Sequence, residues 1–179
     1  PETLLVFNNS KVRKARIYGT SLLTEGRVEF LLIEEICPGS WKAMTEKSRK
    51  QTLGKVFSFP GGITGKITGL DGNLRIITFS EKIDDTYLDI HGHIPLPPYI
   101  KRTDTAEDAQ RYQTIYAEKN GSVAAPTAGL HFTAELLAKL ENKGLELEKI
   151  TLHVGLGTFL PLRTREIEEH IMHEETYEI

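Results

Sequence analysis

The segment Ile67-Thr-Gly-Leu-Asp-Gly-Asn-Leu-Arg-Ile-Ile77 carries the clearest local signal for the fold of this 179-residue chain. Its dipeptide Asp71-Gly72 lies between two alternating apolar runs. This combination predicts a β-hairpin, because glycine tolerates the backbone conformation of a tight turn. Further short apolar runs, each bounded by turn residues, extend in both directions from this hairpin. No long segment of helical periodicity interrupts them between residues 11 and 92.

Short strands therefore fill this part of the chain. Their apolar positions begin at Val12, Val28, Val56, Ile63, Leu74 and Tyr87. About six antiparallel strands at this spacing predict a small barrel or sandwich. Cys37 falls at the end of one apolar run, and we interpret it as a small core residue.

The segments on either side of these strands are typical of an α/β domain. A capping pattern at Thr105 predicts a helix whose apolar face includes Tyr112 and Tyr116. A second helix is predicted from Thr133 to about Lys143. A short leading strand and an apolar, β-like run before His153 complete this part.

We therefore predict a small antiparallel β-barrel domain at residues 11–92, inserted into a discontinuous α/β domain of residues 1–10 and 93–179. The α/β domain has few strands and is incomplete. We expect the chain to be a fragment that lacks strands at both ends.

Composition excludes several classes of protein. The chain is 39% hydrophobic and 26% charged, which is ordinary for a soluble globular protein. No apolar run approaches the roughly 20 residues of a membrane-spanning helix. The single cysteine excludes an internal disulfide, so we expect a cytoplasmic protein.

The net charge of −3 does not by itself indicate a nucleic-acid-binding protein. Basic residues nevertheless cluster in two places. One cluster contains Lys11, Arg13, Lys14 and Arg16, and the other contains Lys42, Lys47, Arg49, Lys50 and Lys55. Such clusters form either solvated surface or a patch that follows a phosphate backbone.

Two loops of small residues are candidates for ligand binding. The first runs from Gly121 to Thr133 and contains His131, and the second runs from Thr151 to Phe159 and contains His153. Small side chains let a backbone approach a ligand closely, and the two loops could form two walls of one pocket. The alternative is a pair of tight loops packed against a helix.

A metal site receives little support from the sequence. His170 and His173 have a spacing that could ligate a metal ion, but the spacing of zinc proteases and a cysteine cluster are absent from the sequence. We therefore predict no metal.

Several motifs in order resemble one family over essentially the whole chain. They are Leu4-Leu-Val-Phe-Asn-Asn-Ser-Lys-Val12, Ile94-Pro-Leu-Pro-Pro-Tyr-Ile100, Arg111-Tyr-Gln-Thr-Ile-Tyr116, Val123-Ala-Ala-Pro-Thr-Ala-Gly-Leu-His-Phe-Thr133 and Leu152-His-Val-Gly-Leu-Gly-Thr-Phe159. Together they resemble the S-adenosylmethionine:tRNA ribosyltransferase-isomerase family of queuosine biosynthesis. The family's usual Asn-Asp-Thr-Arg is here Asn8-Asn-Ser-Lys11, so Asn8 is matched and the acid at position 9 is not. Arg16 is also matched.

The resemblance implies an enzyme that transfers and isomerises the ribosyl group of S-adenosylmethionine onto 7-aminomethyl-7-deazaguanine in a tRNA anticodon loop. Epoxyqueuosine forms, and adenine and methionine leave. A base removes the proton beside the sulfonium and an acid assists the departure of adenine, and His131 and His153 are the candidates in either order. The reaction demands no cofactor, since S-adenosylmethionine is a substrate.

Other residues could bind the substrates. The candidates for S-adenosylmethionine or the modified base are Asn8, Arg16, Arg102, Tyr112, Thr127, Ala128, Gly129, Phe132, Gly155, Gly157 and Thr158, with Phe159 as a further aromatic beside the sulfonium. The candidates for RNA phosphates are Lys11, Arg13 and Lys14. We expect a monomer. The alternative function is a non-catalytic fragment that binds RNA or a nucleoside.

Overall fold

A computed structural model describes residues 3–97, 99–159, 164, 166–170 and 172–179, with the side chain of Phe159 outside the described part. The chain divides into two compact units. One unit consists of residues 1–13 and 96–179, and the other consists of residues 14–95. The boundaries fall after Arg13 and Pro95, whereas the predicted ones fell after Ser10 and Gly92.

The described residues form the following strands and helices. The strands are β1 (Leu4–Asn8), β2 (Ser10–Val12), β3 (Arg16–Ser21), β4 (Arg27–Cys37), β5 (Ser40–Thr45), β6 (Val56–Ser58), β7 (Thr64–Asp71), β8 (Leu74–Phe79), β9 (Lys119–Ser122), β10 (Glu146–Leu152) and β11 (Tyr177–Glu178). The α-helices are α1 (Asp85–His91), α2 (Asp108–Arg111) and α3 (Ala134–Asn142). Short 3-10 turns occupy Ser48–Lys50, Pro60–Gly62, Thr127–His131, Leu156–Phe159 and Ile167–Glu169.

The unit of residues 14–95 is a closed antiparallel barrel, with the strand order β3-β4-β5-β8-β7-β6. The predicted antiparallel barrel is confirmed, and so is the hairpin, since Asp71 pairs with Leu74 and Gly72 has a φ of 53°. Apolar side chains fill the barrel. Phe30 and Phe57 are fully buried, and their rings pack edge to face with centroids 4.9 Å apart. Burial of each such ring contributes roughly 1.5–3 kcal/mol to stability.

The strand predicted at Tyr87 is wrong, because this segment is helix α1. The Asp84 carboxylate accepts a hydrogen bond from the Tyr87 N–H at 3.0 Å, which caps the first turn, and Leu88 is buried. The barrel is completed by β5 instead. Sequence analysis overlooked β5 because its buried positions include Ser40 and Thr45 beside Trp41 and Ala43, which weakens the apolar alternation.

Two further expectations are corrected. The helix predicted from Thr105 is the single turn α2, because Tyr112 has a ψ of 37° and leaves the helical conformation. Cys37 is exposed rather than buried. It ends β4, whose last four residues are exposed, while the buried residues of this strand lie in its middle.

The other unit contains two sheets with parallel pairing. β1 pairs parallel with β10, β11 pairs antiparallel with β10, and β2 pairs parallel with β9. Helix α3 directly precedes β10 along the chain. The Thr133 hydroxyl caps α3 by accepting from the Leu136 N–H, and Gly144 follows the helix with a φ of 81°. Each helix in the described ranges is too short or too polar to cross a lipid bilayer.

Candidate functional site

Asn8 joins the end of β1 to the end of β10. Its Nδ2 donates to the Leu152 carbonyl at 2.8 Å, and its Oδ1 accepts from the Leu152 N–H at 3.0 Å. The same Oδ1 accepts from the Ser10 N–H at 3.0 Å. The amide therefore continues the parallel pairing of the two strands with a side chain. It also fixes the turn through which the chain enters β2. The predicted role of Asn8 in substrate binding competes with these backbone contacts.

Three side chains meet just beyond this turn, and we call them the Ser–His cluster: Ser10, Ser122 and His153. The Ser10 Oγ lies 2.5 Å from the Ser122 Oγ and 2.7 Å from Nδ1 of His153. The Ser122 Oγ accepts from the Val154 N–H at 2.9 Å. Both serines are buried, whereas His153 is partly exposed. The cluster thus presents an imidazole whose Nδ1 contacts the Ser10 hydroxyl, and this hydroxyl in turn contacts that of Ser122.

The surroundings of His153 favour its neutral form. Burial lowers the pKa of the imidazole below its ordinary value, the Glu178 carboxylate opposes this change, and the cations Arg13 and Lys119 add to it. Lys119 also forms an ion pair with Glu178 at 2.5 Å, which lowers the pKa of that carboxyl. A neutral imidazole can accept or donate a proton near neutral pH.

Gly121 allows the imidazole to lie directly against the backbone. A Cβ atom at this position would be 2.4 Å from both Cε1 and Nδ1 of His153. No real Cβ contact is that short, so any larger residue would displace the ring. The first residue of the small-residue loop is therefore required by the histidine of the second loop.

The remainder of the first loop packs on aromatic residues. The Phe132 ring contacts Phe7 of β1 edge to face, with centroids 5.0 Å apart. Gly129 is buried, and a Cβ there would lie 2.3 Å from the Tyr116 hydroxyl oxygen. Thr127, Ala128 and the predicted catalytic residue His131 are exposed. The described contacts link Phe132 and Gly129 to the core, but they do not join His131 to the Ser–His cluster.

The second loop is held by the C-terminal segment. The Gly155 N–H donates to the Glu175 Oε1 at 2.9 Å, so the predicted donor to a ligand already has an internal acceptor. A Cβ at Gly157 would lie 2.1 Å from the His173 ring, which shows how closely the two residues approach. Thr158 is exposed. The aromatic role suggested for Phe159 concerns a side chain outside the described residues.

Arg102 is engaged with Asp108 rather than free for a ligand carboxylate. Its Nη1 and Nη2 donate to the two carboxylate oxygens at 2.5 and 2.8 Å. Asp108 also accepts from the Thr105 N–H at 2.7 Å. These contacts hold the pKa of the Asp108 carboxyl well below its usual range and raise that of Arg102. Tyr112, another predicted substrate-binding residue, is buried, and burial raises its pKa.

The predicted basic residues are divided between the two units. Lys11 and Arg13 belong to the same unit as the Ser–His cluster, whereas Lys14 and Arg16 belong to the barrel unit. The Arg16 Nε forms an ion pair with Glu29 at 3.0 Å. The Lys14 ammonium donates to the Asp89 carbonyl at 2.7 Å. We refer to Lys11, Arg13 and Lys14 as the first basic cluster.

A second basic cluster lies on the barrel and consists of Lys47, Arg49 and Lys50. Together with Thr45 and Ser48 these residues line an open pocket of about 420 Å³. Buried Arg75 shapes this loop by donating from Nε to the Gln51 carbonyl at 2.6 Å and from Nη2 to the Ser48 carbonyl. Lys47 has a φ of 50°, in the region that favours glycine.

No group of three or more potential metal ligands occurs within the described ranges. His173 contacts Glu175 at 3.3 Å, and His170 is partly exposed.

Sequence analysis missed Ser10 and Ser122 because serine alone carries no motif and the two residues are 112 positions apart.

Comparison with known proteins gives a consistent result. The family model described as queuosine biosynthesis protein matches residues 1–179. An S-adenosylmethionine:tRNA ribosyltransferase-isomerase of Treponema denticola is 53% identical, in an alignment that covers 97% of this chain and 52% of the relative. Relatives of the same name from Borreliella afzelii and Clostridioides difficile are 46% and 44% identical, over 98% and 99% of this chain and 51% and 52% of their own.

The chain spans about half the length of the curated relatives it matches. A crystal structure of an S-adenosylmethionine tRNA ribosyltransferase from Thermotoga maritima aligns with 86% of this chain and 41% of its own chain. The identity is 28% and the TM-score is 0.40.

Proposed function

This chain belongs to the queuosine biosynthesis protein family, and on that premise we propose that it forms part of an S-adenosylmethionine:tRNA ribosyltransferase-isomerase. The observation that carries the proposal is the 53% identity to a relative of this name over 97% of the chain. The acceptor is the aminomethyl group of 7-aminomethyl-7-deazaguanine in tRNA. The ribosyl group moves to this nitrogen and is isomerised to give epoxyqueuosine, and adenine and methionine are released.

The Ser–His cluster is the part of the chain best suited to this chemistry. Burial and two nearby cations disfavour the charged form of its imidazole and lower its pKa, although the Glu178 carboxylate opposes this change. The ring is also fixed, by Ser10 on one nitrogen and by Gly121 against its face. A fixed neutral imidazole suits proton transfer or hydrogen bonding at a reacting centre. We propose His153 as one catalytic residue and His131 as the other.

The two basic clusters support a role for RNA binding. Lys11, Lys47, Arg49 and Lys50 have no ion-pair partner among the described residues, so their charges are available to phosphates. Phosphate contacts contribute a large share of protein–nucleic acid affinity. Because the substrate is tRNA, we place the protein in the cytoplasm. We propose no metal or redox cofactor, since proton transfers and ribosyl migration need neither, and we propose a monomer.

An adenine-release assay tests this function. The full-length parent protein and the 179-residue chain each receive S-adenosylmethionine and tRNA that carries the deazaguanine precursor. Release by the parent alone supports the enzyme and identifies this chain as an incomplete part of it. Release by both shows that the chain contains a complete active site. If neither releases adenine from verified tRNA, the proposal fails and the alternative, a non-catalytic RNA- or nucleoside-binding protein, takes its place.

A further inference from the structure

The hydroxyl groups of Ser10 and Ser122 have few hydrogen-bond partners among the described residues. Ser10 and Ser122 are 1% and 0% exposed, so bulk water does not compete for their protons. Each hydroxyl has one proton to donate and accepts through its lone pairs. Ser122 already accepts from the Val154 N–H at 2.9 Å. Among the described residues, its only hydrogen-bond acceptor is the Ser10 Oγ at 2.5 Å.

Because acceptors are few, the donor and acceptor of each hydrogen bond from Ser122 to Ser10 and from Ser10 to His153 can be assigned. Buried polar protons are almost always donated, so the Ser122 hydroxyl donates to Ser10. Among the described residues, the Ser10 hydroxyl then has one remaining acceptor, the Nδ1 atom of His153 at 2.7 Å. The opposite direction would leave the Ser122 proton without an acceptor among the described residues. Nδ1 therefore accepts, and the proton of the neutral imidazole is on Nε2.

We propose that Ser10 and Ser122 are positioning residues that hold His153 in the Nε2–H form, so that the imidazole presents a hydrogen-bond donor to its ligand. This inference rests on the proposed function. The Nε2–H form makes His153 a hydrogen-bond donor to an acceptor atom of the substrate, such as a purine nitrogen of the departing adenine. It also means that His153 does not serve as the base through Nε2 while the network is intact.

The charged groups around the ring are compatible with this form. Glu178 of β11 would stabilise an imidazolium, whereas Arg13, just after β2, and Lys119 of β9 oppose it. Because Lys119 is paired with Glu178, part of the carboxylate's influence is already compensated. Gly121 keeps the ring flat against the backbone, which hinders a flip that would exchange the two nitrogens.

Nitrogen-15 NMR of the imidazole groups in this 179-residue chain tests the proposal without any need for activity. Above its pKa, His153 is expected to show a protonated Nε2 and an unprotonated, hydrogen-bonded Nδ1. In Ser10→Ala the Nδ1 resonance should move towards that of a nitrogen without a donor. The His153 pKa should rise, because the lost hydrogen bond stabilised the neutral form. Ser10→Thr keeps the hydroxyl and should retain the wild-type spectrum.

Ser21→Ala is the matched control, since Ser21 is a buried serine of the barrel whose hydroxyl accepts from the Thr24 N–H. It should leave the His153 resonances unchanged. A protonated Nδ1 in the wild-type protein overturns the proposal, even if Ser10→Ala does not fold. A His153 titration that is the same in folded Ser10→Ala and wild type also overturns it.

Activity of the full-length parent gives an independent result. Ser10→Ala should reduce the kcat of adenine release by up to roughly 100-fold relative to wild type, because misplacement of a reacting group has an effect of this size. Ser10→Thr, which keeps the hydroxyl, should retain the wild-type kcat. If the wild-type parent releases no adenine, the proposed function fails, yet the NMR result still decides the protonation of His153.

Discussion

Asn8 bonds both backbone groups of Leu152 with one side-chain amide, at 2.8 and 3.0 Å. The contact holds the ends of β1 and β10 together immediately before His153. The Asn8 side chain thus forms the two hydrogen bonds that one more backbone residue pair would form between the parallel strands β1 and β10. His153 directly follows Leu152 in the chain, so the contact lies immediately beside the residue that carries the imidazole.

Replacement of Asn8 by Asp should loosen this end of the sheet. The carboxylate still accepts from the Leu152 N–H, but it faces the Leu152 carbonyl with an oxygen where Nδ2 used to donate. We expect a loss of about 1–3 kcal/mol in local stability, measured by hydrogen exchange of the Leu152 amide. The control Asn73→Asp lies in the exposed β7–β8 turn and should have no effect on that amide. Equal protection in wild type and Asn8→Asp would contradict the prediction.

Gly121→Ala should disturb the Ser–His cluster without unfolding the barrel. The new Cβ would lie 2.4 Å from the His153 ring, so the imidazole must move. On the proposed function, we expect adenine release by the full-length parent to fall by roughly 100-fold. Fluorescence of Trp41, the single tryptophan and a barrel residue, should report the same unfolding midpoint as wild type.

Gly26→Ala is the control for this substitution, since its Cβ would meet only Thr24 Oγ1 at 3.5 Å, an ordinary contact. It should keep normal adenine release. If Gly121→Ala retains full activity, the imidazole does not need the position that the structure gives it.

His153 should make the stability of its unit depend on pH. The folded pKa lies below the ordinary value of 6.5, so between these two values the unfolded chain binds more protons than the folded one. The free energy of unfolding therefore falls as the pH drops through this window and is regained above about 6.5. His153→Gln removes this contribution. Urea titrations at several pH values should show a shallower acid loss in the variant, and identical profiles would contradict the expectation.

The Arg102–Asp108 pair should be a structural clamp of the turn from Thr105 to α2. Asp108→Asn removes the charge that orients the guanidinium, so both this turn and Arg102 should become more mobile, measured by hydrogen exchange of the Thr105 and Tyr112 amides. The folded pKa of Asp108 is lowered, so its stabilising effect is present at neutral pH and is lost only in strong acid. Unchanged protection at pH 7 would show that the pair is dispensable.

The two basic clusters should contribute to tRNA affinity through charge. Alanine substitution of either triple should weaken binding and reduce the slope of log K against log salt by up to about 2, at roughly 0.7 for each lost single-strand phosphate contact. Lys139→Ala is the control, since Lys139 is paired with Glu135 on the surface of α3. A cluster whose removal leaves both affinity and slope unchanged does not contact RNA.

Sequence patterns correctly predicted two elements whose conformation is decided by residues within the element or next to it. The Asp71-Gly72 hairpin and helix α3 follow from turn and cap residues, and the structure confirms both. The error at β5 arose because contacts outside the segment decide its conformation: β5 is a strand because β4 and β8 flank it, although its own apolar pattern is weak. The error at Tyr87 has a local cause, since the N-cap Asp84, three residues earlier, begins helix α1 and was overlooked.

The sequence by itself predicted a β-barrel at residues 11–92 and a resemblance to one family, because strand alternation, turn residues and contiguous motifs are local properties. The structure confirms the barrel, within the unit of residues 14–95. The sequence also singled out His153. Only the tertiary structure placed Ser10 beside it, across 143 positions, and Ser122 beside Ser10. The physical reason is that β2 and β9 pair in parallel and β1 and β10 do the same, so strands that are distant in the chain bring three side chains without a shared motif into hydrogen-bonding contact.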